Sequence, residues 1–290
     1  MSGDAPEPVA SVVIPTRGRP DYLDVALASV VGQAVAAGAE VVVVNDGADP
    51  ATETVTARHP PARVVALPAA RGVNGARNAG VRAARADLIV LLDDDVEAPS
   101  GWLDALLTGA RGFPEHEVLG GPIRGRLEGR GLRSCGREPP PISTYDAGPD
   151  DRDVEQVYGG NTAFRRSAFA RAGLFDEALS GSGDEEEWVR RYTASGGRIR
   201  YLAAAGLDHR RSAADSTLGA LIRAAYRRGR EARRHDEHVD RNRSLGGDLR
   251  ILAGCAWHTV RRRCAYGIVM GARAAGSLHE GLVSRRRRDA

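Results

Sequence analysis

Leu88-Ile89-Val90-Leu91-Leu92-Asp93-Asp94-Asp95-Val96 decides how this chain is read. Five consecutive apolar residues, β-branched ones among them, have the pattern of a strand covered on both faces. The strand runs straight into three carboxylates. Adjacent like charges repel, and a strand end is a costly place for them unless a cation or a donor-rich ligand meets them. A single Asp there would read as a solvated stop or a helix cap. Three in a row point to a hard-cation site.

The same pattern occurs twice upstream. Residues 9–14 are apolar and β-branched and end in Pro15-Thr16-Arg17-Gly18-Arg19-Pro20. Glu40-Val41-Val42-Val43-Val44-Asn45-Asp46-Gly47 is a second strand entering a polar turn. Between them Asp21 is placed to cap a helix reaching about Gln33, with Tyr22, Leu23, Ala26, Leu27, Val30 and Val31 on one face. A short helix over 52–57 and a strand over 63–67 follow. Residues 72–85 alternate small residues with Arg77, Asn78 and Arg82, which suggests a helix whose N-terminal part faces a ligand. After the three Asp, Pro99 and Ser100 start a helix that turns Trp102, Leu103, Leu106 and Leu107 inward.

The first 110 residues thus alternate strand and helix, the signature of an α/β fold with an open, mostly parallel sheet and helices on both faces. Ligands of such sheets bind beyond the carboxyl ends of the strands. Pro15 and Thr16, Asp46, and Asp93, Asp94 and Asp95 all fall at those ends, so three strands deliver polar groups to one edge.

The middle is less regular. Residues 120–126 suggest a strand, and 127–158, with three consecutive Pro, a loop that either packs over the site or is partly disordered. Tyr158-Gly159-Gly160-Asn161-Thr162-Ala163-Phe164 reads as a strand entered through a Gly pair. A helix over 166–172 follows. Ser180-Gly181-Ser182-Gly183 precedes Asp184-Glu185-Glu186-Glu187-Trp188, where a helix through 195 begins with four acids that its dipole favours. Residues 198–202 form a further strand, and 203–209 a turn towards Asp208-His209-Arg210-Arg211. From 216 the chain reads as helices broken near 240–247.

Composition narrows the function. All 41 basic residues are Arg, and the net charge of +3 conceals a concentration of Arg after residue 223, ending in Arg285-Arg286-Arg287-Arg288. The Arg-rich helices over 218–236 and 255–288 offer a surface for an acceptor, for anionic lipid as a peripheral membrane contact, or for a second subunit, which leaves a homodimer open; no nucleic-acid partner is expected. Cys135, Cys255 and Cys264 are not spaced as a metal knuckle and give no disulfide framework. The first residues lack the apolar run of a secretion signal, and 251–278 is interrupted by Arg261-Arg262-Arg263. A cytoplasmic chain is the expectation. GxxxxGK[ST] and GxGxxG do not occur after a strand, so a phosphorylated ligand would need a carboxylate-held divalent cation with Arg beside it. His209, followed by two Arg, is a candidate metal ligand or diphosphate contact. An acid at the start of the helix near 184 could serve as general base towards an attacking hydroxyl.

Val12-Val13-Ile14-Pro15-Thr16 with Arg17, Val43-Val44-Asn45-Asp46-Gly47, Gly75-Ala76-Arg77-Asn78-Ala79-Gly80 and Leu91-Leu92-Asp93-Asp94-Asp95 with Trp102 together resemble the family 2 glycosyltransferases of the GT-A fold. Gly159-Gly160-Asn161-Thr162, Gly173-Leu174-Phe175-Asp176-Glu177 and Gly183-Asp184-Glu185-Glu186-Glu187-Trp188 are similar to the same family. The resemblance covers about 9–211. It implies a GT-A domain over 1–211, with a nucleotide-sugar half at about 9–110 and an acceptor half at about 111–211, and leaves 212–290 as an Arg-rich helical C-terminal extension.

The resemblance further implies a nucleotide-diphosphate-sugar donor, with a UDP-sugar favoured, Mg2+ or Mn2+, and inversion at the anomeric carbon. Pro15, Thr16 and Arg17 would line the nucleoside pocket, Asp46 would contact base or ribose, and Arg77 and Asn78 would border the nucleotide. Asp93 and Asp95 would form the Asp-x-Asp motif and both count as candidate metal ligands, with Asp95 on the metal, Asp93 also able to position the donor, and Asp94 near donor sugar or ribose. Gly160 and Asn161 would lie by donor sugar and acceptor. The family usually shows Glu-Asp near the acceptor, where this chain has Asp184-Glu185; aligned through Trp188, the base falls on Glu185, with Asp184 kept as the alternative. The acceptor could be a saccharide, a lipid-linked intermediate or a small molecule. Two rivals remain: a nucleotidyltransferase on a similar sheet, which would carry a Gly-rich loop with Lys that this chain lacks, and a non-catalytic module docking on a membrane or on nucleic acid.

Overall fold

The β-branched runs become strands because their side chains pack on a pleated surface from both sides. In a computed structural model that describes residues 7–130, 132, 134–136, 141–179, 184–238 and 244–288, the order is β1 (Ser11–Thr16), α1 (Pro20–Ala37), β2 (Glu40–Asp46), α2 (Pro50–Ala57), β3 (Arg63–Leu67), α3 (Gly72–Ala83), β4 (Leu88–Leu92), β5 (Val96–Glu97) and α4 (Trp102–Gly112). Then come β6 (Val118–Gly120), β7 (Ile123–Leu127), β8 (Arg152–Val154), β9 (Asn161–Arg165), α5 (Arg166–Ala172), α6 (Asp184–Ala194), β10 (Ile199–Tyr201), β11 (Leu207–Arg211), α7 (Leu218–His238), α8 (Leu245–Arg262) and α9 (Ala265–Arg288).

The large sheet has the order β3-β2-β1-β4-β9-β6-β10-β8. Its first four strands are parallel, as the β/α alternation requires, and β9 runs antiparallel between β4 and β6. Alternate residues feed opposite faces. Val12, Ile14, Val41, Val43, Val90 and Leu92 join Leu23, Leu27, Trp102 and Leu106 on one side. Val13, Val42, Val44, Ile89 and Leu91 join Phe164, Phe169, Phe175 and Trp188 on the other. A Cβ at Gly80 would stand 2.2 Å from Val13 Cγ1, so α3 can lie this close to β1 only with glycine there.

Several local expectations change. α1 begins at Pro20 with Arg19 at its N-cap, and Asp21 lies in the first turn as a dipole partner rather than the cap. The strand expected over 120–126 is two strands, because Pro122 lacks the N–H that would continue the ladder. The turn expected over 203–209 ends in a strand: Asp208 and His209 of β11 pair with Glu97 and Val96 of β5. The 180–183 turn, part of the Pro run and the side chains of 184, 287 and 288 lie outside the described residues.

The chain groups into two compact units. One takes residues up to Arg124, Thr144–Ala178 and Asp184–His209 and contains the large sheet. The other takes its described residues from 125–143, 179 and 210–288. Within the second, α7 packs on α9 and α9 on α8. Among the described residues no helix is long and apolar enough to cross a membrane.

Candidate functional site

Parallel pairing of β1, β2 and β4 brings the ends of these strands to one edge of the first unit. Pro15, Thr16 and Arg17 from β1 and the residue after it, Asp46 from β2, Gly72, Val73 and Ala76 from α3, and Arg19 and Asp94 line a cavity of about 190 Å³. Each acid on this edge has its own partners.

Asp46 is turned to the start of α3. Its oxygens accept from the Arg71 N–H at 2.6 Å and the Gly72 N–H at 3.0 Å, taking up donors that a helix N-terminus leaves unsatisfied. Asp94, 1% exposed, accepts from the Thr16 hydroxyl at 2.6 Å and from the Arg19 guanidinium, whose Nε lies 3.2 Å away. The same Arg19 reaches Asp95 through Nη1 at 2.9 Å. Burial works to lower the Arg19 pKa, but Asp94 and Asp95 outweigh it and raise it further.

Asp95 faces His209, with Oδ1 and Nε2 3.4 Å apart. The register of β5 on β11 makes this contact, because His209 pairs with Val96, the residue after Asp95. Burial alone would raise the Asp95 carboxyl; the His209 imidazole and then Arg19 hold it well below the usual carboxylate range. A carboxylate oxygen and an imidazole nitrogen at this separation, delivered by two paired strands, suit a divalent cation with few protein ligands and positions left for phosphate oxygens. The residues present are therefore chemically compatible with Mg2+ or Mn2+, which Asp95 and His209 would hold.

Asp93 turns elsewhere. Its Oδ1 lies 3.5 Å from Arg77 Nη2, and a Cβ at Gly160 would stand 2.5 Å from its Oδ2. Gly160 is thus the residue that leaves the Asp93 carboxylate its space. Arg77, 4% exposed, also reaches Glu185 Oε2 through Nη1 at 3.3 Å and Asn74 Oδ1 at 3.3 Å. Glu185 stands in the first turn of α6, so Arg77 ties that turn to the acidic strand end. The Asp184 side chain lies outside the described residues.

Two candidates are committed to the scaffold. The Asn78 amide donates to the Phe175 carbonyl and Glu177 Oε1, both at 2.9 Å, and accepts from the Phe175 N–H at 3.0 Å. Asn161 accepts from Trp102 Nε1 at 2.9 Å and donates to the carbonyls of Pro122 and Ala205 at 3.1 and 2.8 Å. Both side chains sit 1% exposed with their amides fully engaged.

Arg19, Arg71 and Glu177 were not singled out from the sequence. Arg71 Nη2 pairs with Glu177 Oε2 at 2.5 Å, holding the 175–177 turn to α3. The one advance signal for Arg19 was its place in the loop that leaves β1 towards the acidic edge.

Residues 11–173, more than half of the chain, match the family described as Glycosyl transferase family 2. A protein of Mycobacterium tuberculosis named pre-mycofactocin glycosyltransferase is 28% identical over 259 residues, covering 82% of this chain and 51% of that one. A glucosyl-dolichyl phosphate glucuronosyltransferase of Haloferax volcanii is 24% identical over 154 residues, 48% of each chain. The chain spans about half the length of these curated relatives. The solved structure of GalNAc-T7 with UDP, GalNAc and Mn2+ covers 72% of this chain and 45% of its own at a TM-score of 0.55 and 17% identity, a likeness of fold.

Proposed function

The chain belongs to glycosyl transferase family 2 and has the GT-A fold, and from that premise we propose that it moves a sugar from a nucleotide-diphosphate donor to an acceptor hydroxyl with inversion at the anomeric carbon. Transferase activity is common to its named relatives; donor, metal and stereochemistry are this reading's own. The observation that carries it is the cavity of about 190 Å³ at the strand ends, flanked by the Asp95–His209 and Asp93–Arg77–Glu185 contacts.

Pro15, Thr16 and Arg17 line the cavity where the nucleoside would enter. Asp95 and His209 would hold Mg2+ or Mn2+, which when bound supplies positive charge to the diphosphate leaving group. Arg19 already bears on Asp94 and Asp95 and adds a second cation near that group. Asp93, kept in place by Arg77 and by the gap at Gly160, presents a carboxylate towards the donor sugar. Glu185, or Asp184 beside it, accepts the acceptor hydroxyl's proton as the oxygen attacks the face opposite the diphosphate. A base of this kind contributes about 10²–10⁴-fold.

A UDP-sugar is the favoured donor, UDP and Mn2+ being what the fold neighbour was solved with. The acceptor class stays a saccharide, a lipid-linked intermediate or a small molecule. For peripheral membrane contact, the supporting feature is α8, where Trp257 and Val260 are 64% and 80% exposed just before Arg261, Arg262 and Arg263. The deciding experiment presents a panel of nucleotide sugars with Mn2+ and follows release of nucleoside diphosphate. Release for at least one donor, lost without metal, supports the reading; binding without release for every donor would make the chain a non-catalytic module.

A further inference from the structure

Cys135 and Cys264 lie 129 positions apart in sequence, and His258 stands six residues before the second of them and far from the first. Folding nevertheless brings the three together within the second unit. Cys135 Sγ lies 3.5 Å from His258 Nε2, and the ligand atoms of Cys135, His258 and Cys264 all lie within 4.8 Å of one another. The backbone explains the convergence. α8 ends at Arg262, Arg263 takes the left-handed conformation with φ 50° and ψ 40°, and the reversal returns Cys264 beside His258, four residues before the end of the helix. The short stretch with Cys135 comes to the same point from far upstream.

We propose that Cys135, His258 and Cys264 bind a zinc ion that fastens the 134–136 segment to the α8–α9 turn. The donor set is the first support: two thiolates and an imidazole are soft-to-borderline ligands that select zinc over Mg2+ or Mn2+. The spacing is the second. With Zn–S about 2.3 Å and Zn–N about 2.0–2.1 Å, the S–N edge of a tetrahedron comes to about 3.6 Å, close to the 3.5 Å found. The third is burial: Cys264 is fully buried, so its sulfur lies within the cluster and away from solvent.

Binding would release the thiol protons to solvent and leave the fourth position to water or an added ligand. Cys255 and its thiol stand outside the cluster. The acidic edge of the first unit offers carboxylates and the His209 imidazole but no thiolate ligand.

The full-length chain, purified under reducing conditions, should carry one zinc by elemental analysis. After its removal, Co2+ titration should produce the thiolate-to-cobalt charge-transfer absorption, which cobalt held by carboxylate and imidazole at the acidic edge cannot give. Cys264→Ser and His258→Ala should each abolish that absorption, Cys255→Ser should keep it, and His258→Cys should restore it in strengthened form. The last variant separates lost ligation from lost folding. Wild-type chain that gives no thiolate band with Co2+ overturns the site, as does a band that survives both Cys135→Ser and Cys264→Ser. So does a reducing-agent-sensitive Cys135–Cys264 disulfide found in place of metal affinity.

Discussion

Arg77 stands between Asp93 and Glu185, 3.5 Å from the first and 3.3 Å from the second, and is itself 4% exposed. One buried cation thereby links the end of the central strand β4 to the first turn of α6. Arg77→Ala leaves both carboxylates without it. Breaking a buried ion pair costs on the order of 3 kcal/mol, so thermal unfolding should move down by several degrees and transfer should fall with it. Arg77→Lys should recover stability better than rate, since an ammonium cannot span both acids with one planar fork. Equal recovery of both would argue against positioning.

Gly160 is the neighbour that lets Asp93 occupy its place. Gly160→Ala would put a methyl group 2.5 Å from Asp93 Oδ2 in the unrelaxed structure. Overpacking of this kind costs about 1–3 kcal/mol when the surroundings must shift, and here the carboxylate is what shifts. Donor affinity should weaken, measurable as a raised KM for the nucleotide sugar, beyond what the accompanying drop of a few degrees in melting temperature explains. An unchanged KM would remove Asp93 from the donor contacts.

Asp46 serves α3 directly, and this separates two roles that sequence alone merges. Removal of a helix cap costs about 1 kcal/mol, and Asp46→Ala should show that loss in urea unfolding without ligand. A nucleotide role adds a second effect, a rise in KM beyond what the stability change explains. Loss of stability with wild-type KM would assign Asp46 to the scaffold alone.

The strand ends were legible because a β-branched run stopped by Asp or by Pro-Thr fits little besides a buried strand meeting a polar turn, and the β/α alternation places those ends together. The side-chain commitments were not. Asn78 and Asn161 sit at positions where the family resemblance implies ligand contacts, yet their amides bind groups from distant segments, the Phe175 carbonyl and the Trp102 indole, and nothing in local spacing reveals partners 97 and 59 positions away. His209 was singled out from the Arg beside it, but its contact with Asp95 depends on β11 pairing with β5, where a turn had been expected. The Cys135, His258 and Cys264 cluster was illegible for the same reason: its ligands meet through a helix reversal and a segment more than 100 residues upstream, and spacing rules see only neighbours.

Asp153 supplies a test in acid. It accepts from Arg198 at 2.7 Å, from Arg200 at 3.1 Å and from His116 at 2.9 Å, joining β8 to β10 and to the turn before β6. The Arg198 hydrogen bond leads in depressing its pKa to about 2, with burial opposing and Arg200 and His116 assisting. A depressed carboxylate stabilises the fold above its unfolded pKa of about 3.9, and that contribution is lost as pH falls through about 2. The stability gap between the wild-type chain and Asp153→Asn should therefore be full at pH 5 to 7, narrow below about pH 4 and close near pH 2. A gap independent of pH would mean that the charge of Asp153 contributes nothing.

The central claim is metal-dependent glycosyl transfer with Asp95 holding the cation and an acid at the start of α6 taking the proton. Transfer from the accepted nucleotide sugar, measured at saturating donor and Mn2+, tests it most directly in four proteins: wild type, Asp95→Ala, Glu185→Gln and Asp184→Asn. The account predicts no metal-dependent transfer for Asp95→Ala, and a rate about 10²–10⁴-fold below wild type for Glu185→Gln or, if the base is its neighbour, for Asp184→Asn. Near-wild-type turnover by Asp95→Ala, or full rates in both amide variants, would contradict it.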